Sequence, residues 1–194
     1  MIHLSTVLNV VALLGWTVVA VMTALEWNGP SRPSQQLLNL TLACECICAS
    51  EVVRIALGML RGDLALAITV HYTRLLMWFV TLPHPEVTPF VVKLILVAWA
   101  ATEVARYPMV LFPSSAPLKT FRYATPLVTF PMGAGTEAFA AYTVAQVTPS
   151  TPLYVALTLV VLVNVIGGIV WYPSMIAKVT RSLSPKAQKD KKAL

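Results

Sequence analysis

Glu137 is the residue in this sequence with the clearest potential for chemistry, because it places a carboxylic acid inside a long apolar run. The run covers residues 121–144 and is long enough to cross a lipid bilayer. An ionisable group at that depth is costly and is usually functional. The structural alternative is a packing helix whose glutamate is neutral and hydrogen-bonded.

The spacing around Glu137 predicts how its neighbours are arranged. If the run is one helix, Tyr123, Phe130 and Glu137 are spaced by seven residues and share one stripe. We expect this stripe to face the protein interior. Gly133 and Gly135 lack side chains and would allow a neighbouring helix or a ligand to approach closely.

Other ionisable residues also fall within apolar segments. Glu51 with Arg54, and Glu103 with Arg106, are spaced by three residues and can form ion pairs on one helix face. Such pairs are as readily structural as functional. Lys93 lies near a helix end, where we expect its ammonium group to extend to the membrane surface.

Arg74 has no acidic residue at pairing distance on its own segment. It can pair with Glu45 or Glu137, or bind an anionic ligand group such as a phosphate or a thioester oxygen. His71 is predicted to be a packing residue rather than a ligand.

Cys44, Cys46 and Cys48 alternate within one segment, so on a helix they point in different directions and cannot converge on a metal ion. We interpret them as small core residues. Cys48 and Arg54 have the spacing of a tyrosine-phosphatase phosphate loop, but no glycine between them could form an anion-binding turn, and Glu51 would repel a phosphate.

The composition excludes an ordinary soluble domain. The chain has 194 residues, of which 57% are hydrophobic and only 11% charged, and its mean hydropathy is +0.74. The formal net charge is +6, but six of the basic residues lie in the last seventeen positions. The excess therefore belongs to a tail, and we expect no nucleic-acid partner.

Six apolar segments are predicted to be membrane-spanning helices. They cover residues 4–25, about 36–60, 64–82, about 89–111, about 121–144 and about 152–172. Basic residues follow span two, precede span five and fill the tail, whereas the loops after spans three and five have none. This alternation predicts an all-α bundle of six transmembrane helices with both termini cytoplasmic. Residues 1–175 would form the membrane domain and residues 176–194 a basic cytoplasmic tail.

Several motifs in spans four and five resemble a known family. They are residues 99–107 (WAATEVARY), residues 118–123 (LKTFRY), and Pro131 with Gly133 ahead of Glu137. They resemble the 3-hydroxyacyl-CoA dehydratases of very-long-chain fatty acid elongation, also called the protein-tyrosine-phosphatase-like A family. The similarity extends to Glu51, Gly58, Arg61 and Arg74 in spans two and three, and to Asn9, Gly15 and Trp16 in span one.

Members of that family are six-span proteins of the endoplasmic reticulum. They remove water from a (3R)-3-hydroxyacyl-CoA to give the trans-2-enoyl-CoA, and the resemblance implies the same reaction here. In the family a tyrosine and a glutamate seven residues apart do the chemistry. Glu137 matches the glutamate, but Phe130 stands at the tyrosine position and has no hydroxyl group. The resemblance therefore implies a dehydratase whose acid group is altered or missing. Arg54 is a second departure, because the family usually has a histidine at that position.

The resemblance further implies substrate-binding or supporting roles for Tyr123, Arg122, Arg74, Glu103, Arg106, Tyr107 and Gly133. Dehydration needs a base for the proton beside the thioester carbonyl and an acid for the departing hydroxyl, so we predict neither a metal nor a cofactor. The expected partners are acyl-CoA, membrane lipid and the other enzymes of the elongation cycle, namely the condensing enzyme, the ketoacyl-CoA reductase and the enoyl-CoA reductase.

Two other functions stay open on the sequence. A non-catalytic or inactivated member of the family would bind acyl-CoA or act as a scaffold for the elongation enzymes. A small transporter or channel would use Glu137, Arg74 and Glu45 along a polar path. Residues 191–194 (KKAL) look like a dilysine signal for the endoplasmic reticulum, although a basic tail attracted to anionic lipid is the alternative. We expect a multi-pass protein of the endoplasmic reticulum membrane.

Overall fold

The computed structural model describes residues 2–60 and 62–183, which are folded mainly into helices. Eight α-helices are found in this part of the chain: α1 (Ile2–Leu25), α2 (Gln35–Ala56), α3 (Leu64–Leu76), α4 (Pro89–Leu111), α5 (Ala116–Ala124), α6 (Pro126–Val147), α7 (Thr151–Ile166) and α8 (Tyr172–Leu183). A π-helical segment, Met77–Thr81, continues α3, and a second, Gly167–Trp171, joins α7 to α8.

Five helical segments are long and apolar enough to cross a membrane. They are Leu4–Leu25, Gln35–Ala56, Leu64–Thr81, Pro89–Leu111 and Thr151–Ala177. These segments confirm the prediction of an all-helical, multi-pass membrane protein. Helix α6 has 22 residues but is not among the five, because its glutamate, prolines and glycines reduce its hydropathy.

Helix α4 lies at the centre of the bundle. It packs against α1 on one side and against α6 on the other, while α2 packs against α1 and α3, and α7 packs against α6. The core where these helices meet is apolar and includes Trp16, Leu37, Ile95, Leu96 and Leu157. Side chains on α4 can therefore contact residues from both halves of the bundle.

Polar caps stabilise the starts of two of these helices. The hydroxyl of Ser34 accepts a hydrogen bond from the Leu37 backbone N–H at the start of α2, and the carboxylate of Asp63 accepts one from the Leu66 N–H at the start of α3. Each cap satisfies a backbone donor that has no partner within the helix.

Lys93, near the start of α4, bonds to the loop that follows α1. It is only 2% exposed, and its ammonium group donates to the carbonyls of Glu26 and Gly29, both at 2.6 Å. It also donates to Trp27 at 3.3 Å. The carbonyls just beyond a helix C-terminus have few backbone partners. Lys93 thus anchors α4 to the end of α1.

The prediction of one continuous helix over residues 121–144 is wrong. The chain forms two helices, α5 and α6, which meet at Thr125. Pro126 has no backbone N–H to donate to the carbonyl of Arg122, so the helical hydrogen bonding is interrupted there. Tyr123 lies on α5 and is 40% exposed, so it does not share the buried stripe expected for it.

The predicted end of the second span also differs. Helix α2 ends at Ala56 rather than near residue 60, because Gly58 takes a positive φ of 69° in the turn that follows. Helix α8 runs from Tyr172 to Leu183, and the division into a membrane domain up to residue 175 and a cytoplasmic tail stays a prediction. Residues 184–194, including the dilysine-like end, lie outside the described residues.

Candidate functional site

Glu137 lies on α6 and is 8% exposed, as expected for an acid that faces the interior. Its carboxylate is held from two neighbouring helices. The indole N–H of Trp99 on α4 donates to Oε1 at 2.6 Å, and the Nδ2 of Asn164 on α7 donates to Oε2 at 3.4 Å. Both donors are neutral, so they orient the carboxylate without supplying a compensating positive charge.

The close packing of α4 and α6 brings Trp99 to Glu137. A Cβ atom on Gly133 would lie 3.2 Å from the Cβ of Ala98, which is tighter than ordinary packing. The hydroxyls of Thr102 and Thr129 join the same two helices through a hydrogen bond of 2.8 Å. The prediction that Gly133 permits a close helix approach is therefore confirmed.

Gly135 has a different environment from Gly133. A Cβ atom there would meet no atom within 4 Å, and the residue lines a groove of about 250 Å³ between α6 and the α7–α8 segment. Two of the ten residues that line the groove, Asn164 and Tyr172, have polar side chains.

Phe130 is half-buried beside this groove. Its ring stacks on the ring of Tyr172, with centroids 6.1 Å apart and an interplanar angle of 12°. The hydroxyl of Tyr172 donates to the carbonyl oxygen of Leu127 at 2.9 Å. Pro131 cannot donate to that carbonyl, so Tyr172 satisfies an acceptor that the proline leaves free.

Arg74 pairs with two acids in the interior, and Glu137 is not one of them. Its Nη1 lies 2.7 Å from Oε1 of Glu103 and 3.2 Å from Oε2 of Glu45. The Nδ1 of His71 lies 2.5 Å from the other oxygen of Glu45. The structure therefore joins α2, α3 and α4 through Arg74, and His71 is a bonded packing residue as expected.

The second half of the network is centred on Arg106. Its guanidinium donates to both carboxylate oxygens of Glu51, at 2.8 and 3.0 Å, and its Nε lies 2.8 Å from Oε2 of Glu103. Arg54 lies 3.8 Å from Glu51. Both predicted pairs within helices are confirmed, and Arg106 forms in addition an interhelical pair with Glu51 that is as close as its pair with Glu103.

Tyr107 and Cys48 join this network to the core. The Tyr107 hydroxyl accepts from Arg106 at 2.8 Å and lies 3.0 Å from the Sγ of Cys48, which in turn accepts from the indole of Trp16 at 3.2 Å. Cys44 is also buried, whereas Cys46 is exposed. The expectation of core residues thus holds for two of the three cysteines.

The network contacts the Glu137 site through Trp99. The guanidinium of Arg74 lies 5.5 Å from the centroid of the Trp99 ring, close enough for a cation–π interaction. The same indole donates to Glu137. The buried charges therefore position Trp99, and Trp99 positions the carboxylate.

Arg122 and Tyr123 lie on α5 rather than on the helix that carries Glu137. The guanidinium of Arg122 lies 3.8 Å from the sulfur of Met109, and Tyr123 is partly exposed. Among the residues that the structure describes, no group of three or more His, Cys, Asp or Glu side chains could hold a metal ion.

Trp99 and Asn164 are the site residues that sequence reasoning missed. Trp99 is the first residue of the motif at residues 99–107, and Asn164 is a polar residue in a mainly apolar span. A rule that pairs each buried acid with every polar or indole N–H donor in other spans would have found both.

A comparison with protein-family models assigns the chain to a family. The model described as "Protein tyrosine phosphatase-like protein, PTPLA" matches residues 45–185, well over half of the 194 residues. The chain belongs to the PTPLA family. This is the 3-hydroxyacyl-CoA dehydratase family, as the motifs predicted. A search of curated proteins and a search of solved structures found no match to the chain.

The PTPLA match begins at Glu45 in α2 and runs past the end of α8. It therefore includes Glu137, both of its donors and the buried charge network. The phosphatase-like spacing of Cys48 and Arg54 lies within continuous helix α2. A helix cannot form the loop of backbone N–H groups that a phosphatase uses to bind phosphate.

Proposed function

We propose that this PTPLA protein dehydrates a long-chain (3R)-3-hydroxyacyl-CoA to the trans-2-enoyl-CoA in fatty acid elongation. The observation that carries the proposal is the buried carboxylate of Glu137, oriented by Trp99 and Asn164. Membership of the dehydratase family supports the general reaction type. The substrate and the role of each residue are part of the proposal.

The proposed chemistry begins with proton abstraction by Glu137. The hydrogen on C2 of the substrate is weakly acidic because it lies beside the thioester carbonyl, and a carboxylate outside bulk water is a competent base for it. The C2–H electrons form the C2=C3 double bond, and the C3 hydroxyl leaves as water after protonation. Trp99 and Asn164 hold the carboxylate in one orientation during this step.

We propose a membrane arrangement of six spans that suits this reaction. Helix α6 would form a sixth span between α4 and α7, with both termini on the cytoplasmic side, where soluble CoA enters. We propose that the protein resides in the endoplasmic reticulum membrane beside the other elongation enzymes. Arg74 pairs with Glu45 and Glu103, and Glu103 also pairs with Arg106. Each of these charges therefore has a partner of opposite sign, which favours an enzyme over a transporter.

Turnover by the purified protein tests the proposal. The wild type and Glu137→Gln would be assayed with a long-chain (3R)-3-hydroxyacyl-CoA, and enoyl-CoA would be followed. Glu86→Gln is the matched control, because Glu86 is exposed in the loop before α4. We expect Glu137→Gln alone to abolish turnover. Equal activity of Glu137→Gln and the wild type would rule out Glu137 as the base.

Phe130 favours a second function for the same site. A protein without an acid at this position would bind acyl-CoA or hold elongation enzymes together without turning the substrate over. In that case the wild type would bind acyl-CoA and be inactive, whereas Phe130→Tyr would gain activity. Turnover of the substrate by the wild type would exclude this non-catalytic function.

A further inference from the structure

Tyr172 places a phenol beside Phe130, whose own ring has no hydroxyl group. Three observations define its place: its ring stacks on Phe130, its hydroxyl bonds to the carbonyl of Leu127, and it lines the groove between α6 and the α7–α8 segment. The ring of Tyr172 therefore lies beside Phe130, and its hydroxyl group lies at the Leu127 carbonyl, one turn nearer the start of α6.

The groove has two polar side chains at different heights along α6, one beside Glu137 and one beside Phe130. At the first level Asn164 bonds to Glu137, and at the second Tyr172 stacks on Phe130. Positions 130 and 137 are two helical turns apart, about 10 Å along α6. Helical side chains lean toward the N-terminus of their helix, so the carboxylate of Glu137 leans toward the level of Tyr172.

The remaining lining of the groove is apolar or glycine, and Ile169 at its edge is 71% exposed. An acyl chain can enter such a groove from the surrounding lipid. The polar groups available to a 3-hydroxyacyl thioester there are those of Asn164, Tyr172 and the adjacent Glu137. Glu137 does not itself line the groove, but its carboxylate bonds to Asn164, which does. The groove therefore has the acid of Tyr172 in its lining and the base of Glu137 directly behind Asn164.

We propose that Tyr172 is the catalytic acid of this protein and replaces the phenol missing at position 130. The proposal rests on the dehydratase function proposed above. Glu137 takes the C2 proton, the C2–H electron pair forms the double bond, and the C3–O bond breaks. The hydroxyl leaves with the proton of Tyr172 as water. The proton on Glu137 then returns to the phenolate, so the enzyme is unchanged after each turnover.

The hydrogen bond to Leu127 holds Tyr172 in place between turnovers. To act as an acid, the phenol must first turn its O–H group from this carbonyl to the substrate hydroxyl. Exchanging one neutral hydrogen bond for another costs about 1 kcal/mol or less. The same bond gives Tyr172 a structural role, so its removal alone cannot distinguish support from catalysis. The test therefore needs a variant that restores the phenol without restoring the hydrogen bond.

Four variants of the purified full chain make that distinction: Tyr172→Phe, Phe130→Tyr, the two combined, and Tyr142→Phe. Tyr142 is an exposed phenol on α6 and serves as the matched control. Loss of a general acid lowers the rate by about 10²–10⁴-fold. We expect that loss in kcat for Tyr172→Phe, no change for Tyr142→Phe, and recovery of at least tenfold in the combined variant.

Undiminished turnover by Tyr172→Phe would overturn the proposal and leave the dehydratase function standing. The proposal would also be overturned, with the dehydratase function left standing, if the wild type is inactive and Phe130→Tyr makes it active. Inactivity of both the wild type and Phe130→Tyr would overturn the dehydratase function as well.

Discussion

The indole nitrogen of Trp99 lies 2.6 Å from Oε1 of Glu137, and the face of the same indole lies beside the guanidinium of Arg74. One side chain on α4 thus joins a buried charge network to a buried carboxylate. Disturbance of the network should therefore reach Glu137 through the position of this ring.

Replacement of Trp99 by Phe keeps an aromatic ring but removes the donor to Glu137. A hydrogen bond to a charged group contributes about 1.5–3 kcal/mol, so we expect kcat to fall by about 10- to 100-fold. Steady-state kinetics on a 3-hydroxyacyl-CoA measure the effect. Trp27→Phe is the control, since Trp27 is partly exposed beyond the end of α1. An equal loss in both variants would contradict a specific role for Trp99.

Replacement of Arg74 by Met leaves Glu45 and Glu103 without their shared cation. Removal of one partner from a buried ion pair costs about 3–5 kcal/mol, so the thermal unfolding temperature in detergent should fall markedly. The double variant Arg74→Met with Glu45→Met removes one charge of each sign and should be more stable than Arg74→Met. If the double variant is the less stable of the two, Glu45 is not the energetic partner of Arg74.

Gly133→Ala and Gly135→Ala form a matched pair on α6. A Cβ at position 133 would crowd Ala98, whereas one at position 135 meets no atom within 4 Å. We expect Gly133→Ala to separate α4 from α6, weaken the Trp99–Glu137 bond and reduce both stability and kcat. Gly135→Ala should be neutral or slightly stabilising in unfolding measurements, because alanine favours a helix over glycine. Equal stability of the two variants would argue against tight packing at Gly133.

Lys93→Met removes the donor to three carbonyls beyond the end of α1. These acceptors would lose a charge-assisted donor, which is worth about 1.5–3 kcal/mol per bond. We expect a lower unfolding temperature with little change in kcat for the folded fraction. Lys119→Met on α5 is the control, because Lys119 is exposed. If the two variants unfold at the same temperature, Lys93 does not anchor α1.

Local patterns in the sequence were sufficient for the class of the protein and for several of its elements. Hydropathy identified the apolar helices, and the bounds expected for α4 agree with Pro89–Leu111. The spacing of three residues identified the pairs Glu51–Arg54 and Glu103–Arg106, and an acid in an apolar run identified Glu137. Each of these features depends on residues close together in the chain, so the sequence alone determines it.

Contacts between helices were decided by the tertiary structure. The two donors to Glu137 come from α4 and α7, Arg106 reaches Glu51 on α2, and Tyr172 reaches Phe130 from the opposite side of the groove. Hydropathy shows that a helix is buried but not which neighbour each face meets, since that depends on how all the helices pack together. The family motifs identified the carboxylate, and the packing determined the groups that surround it.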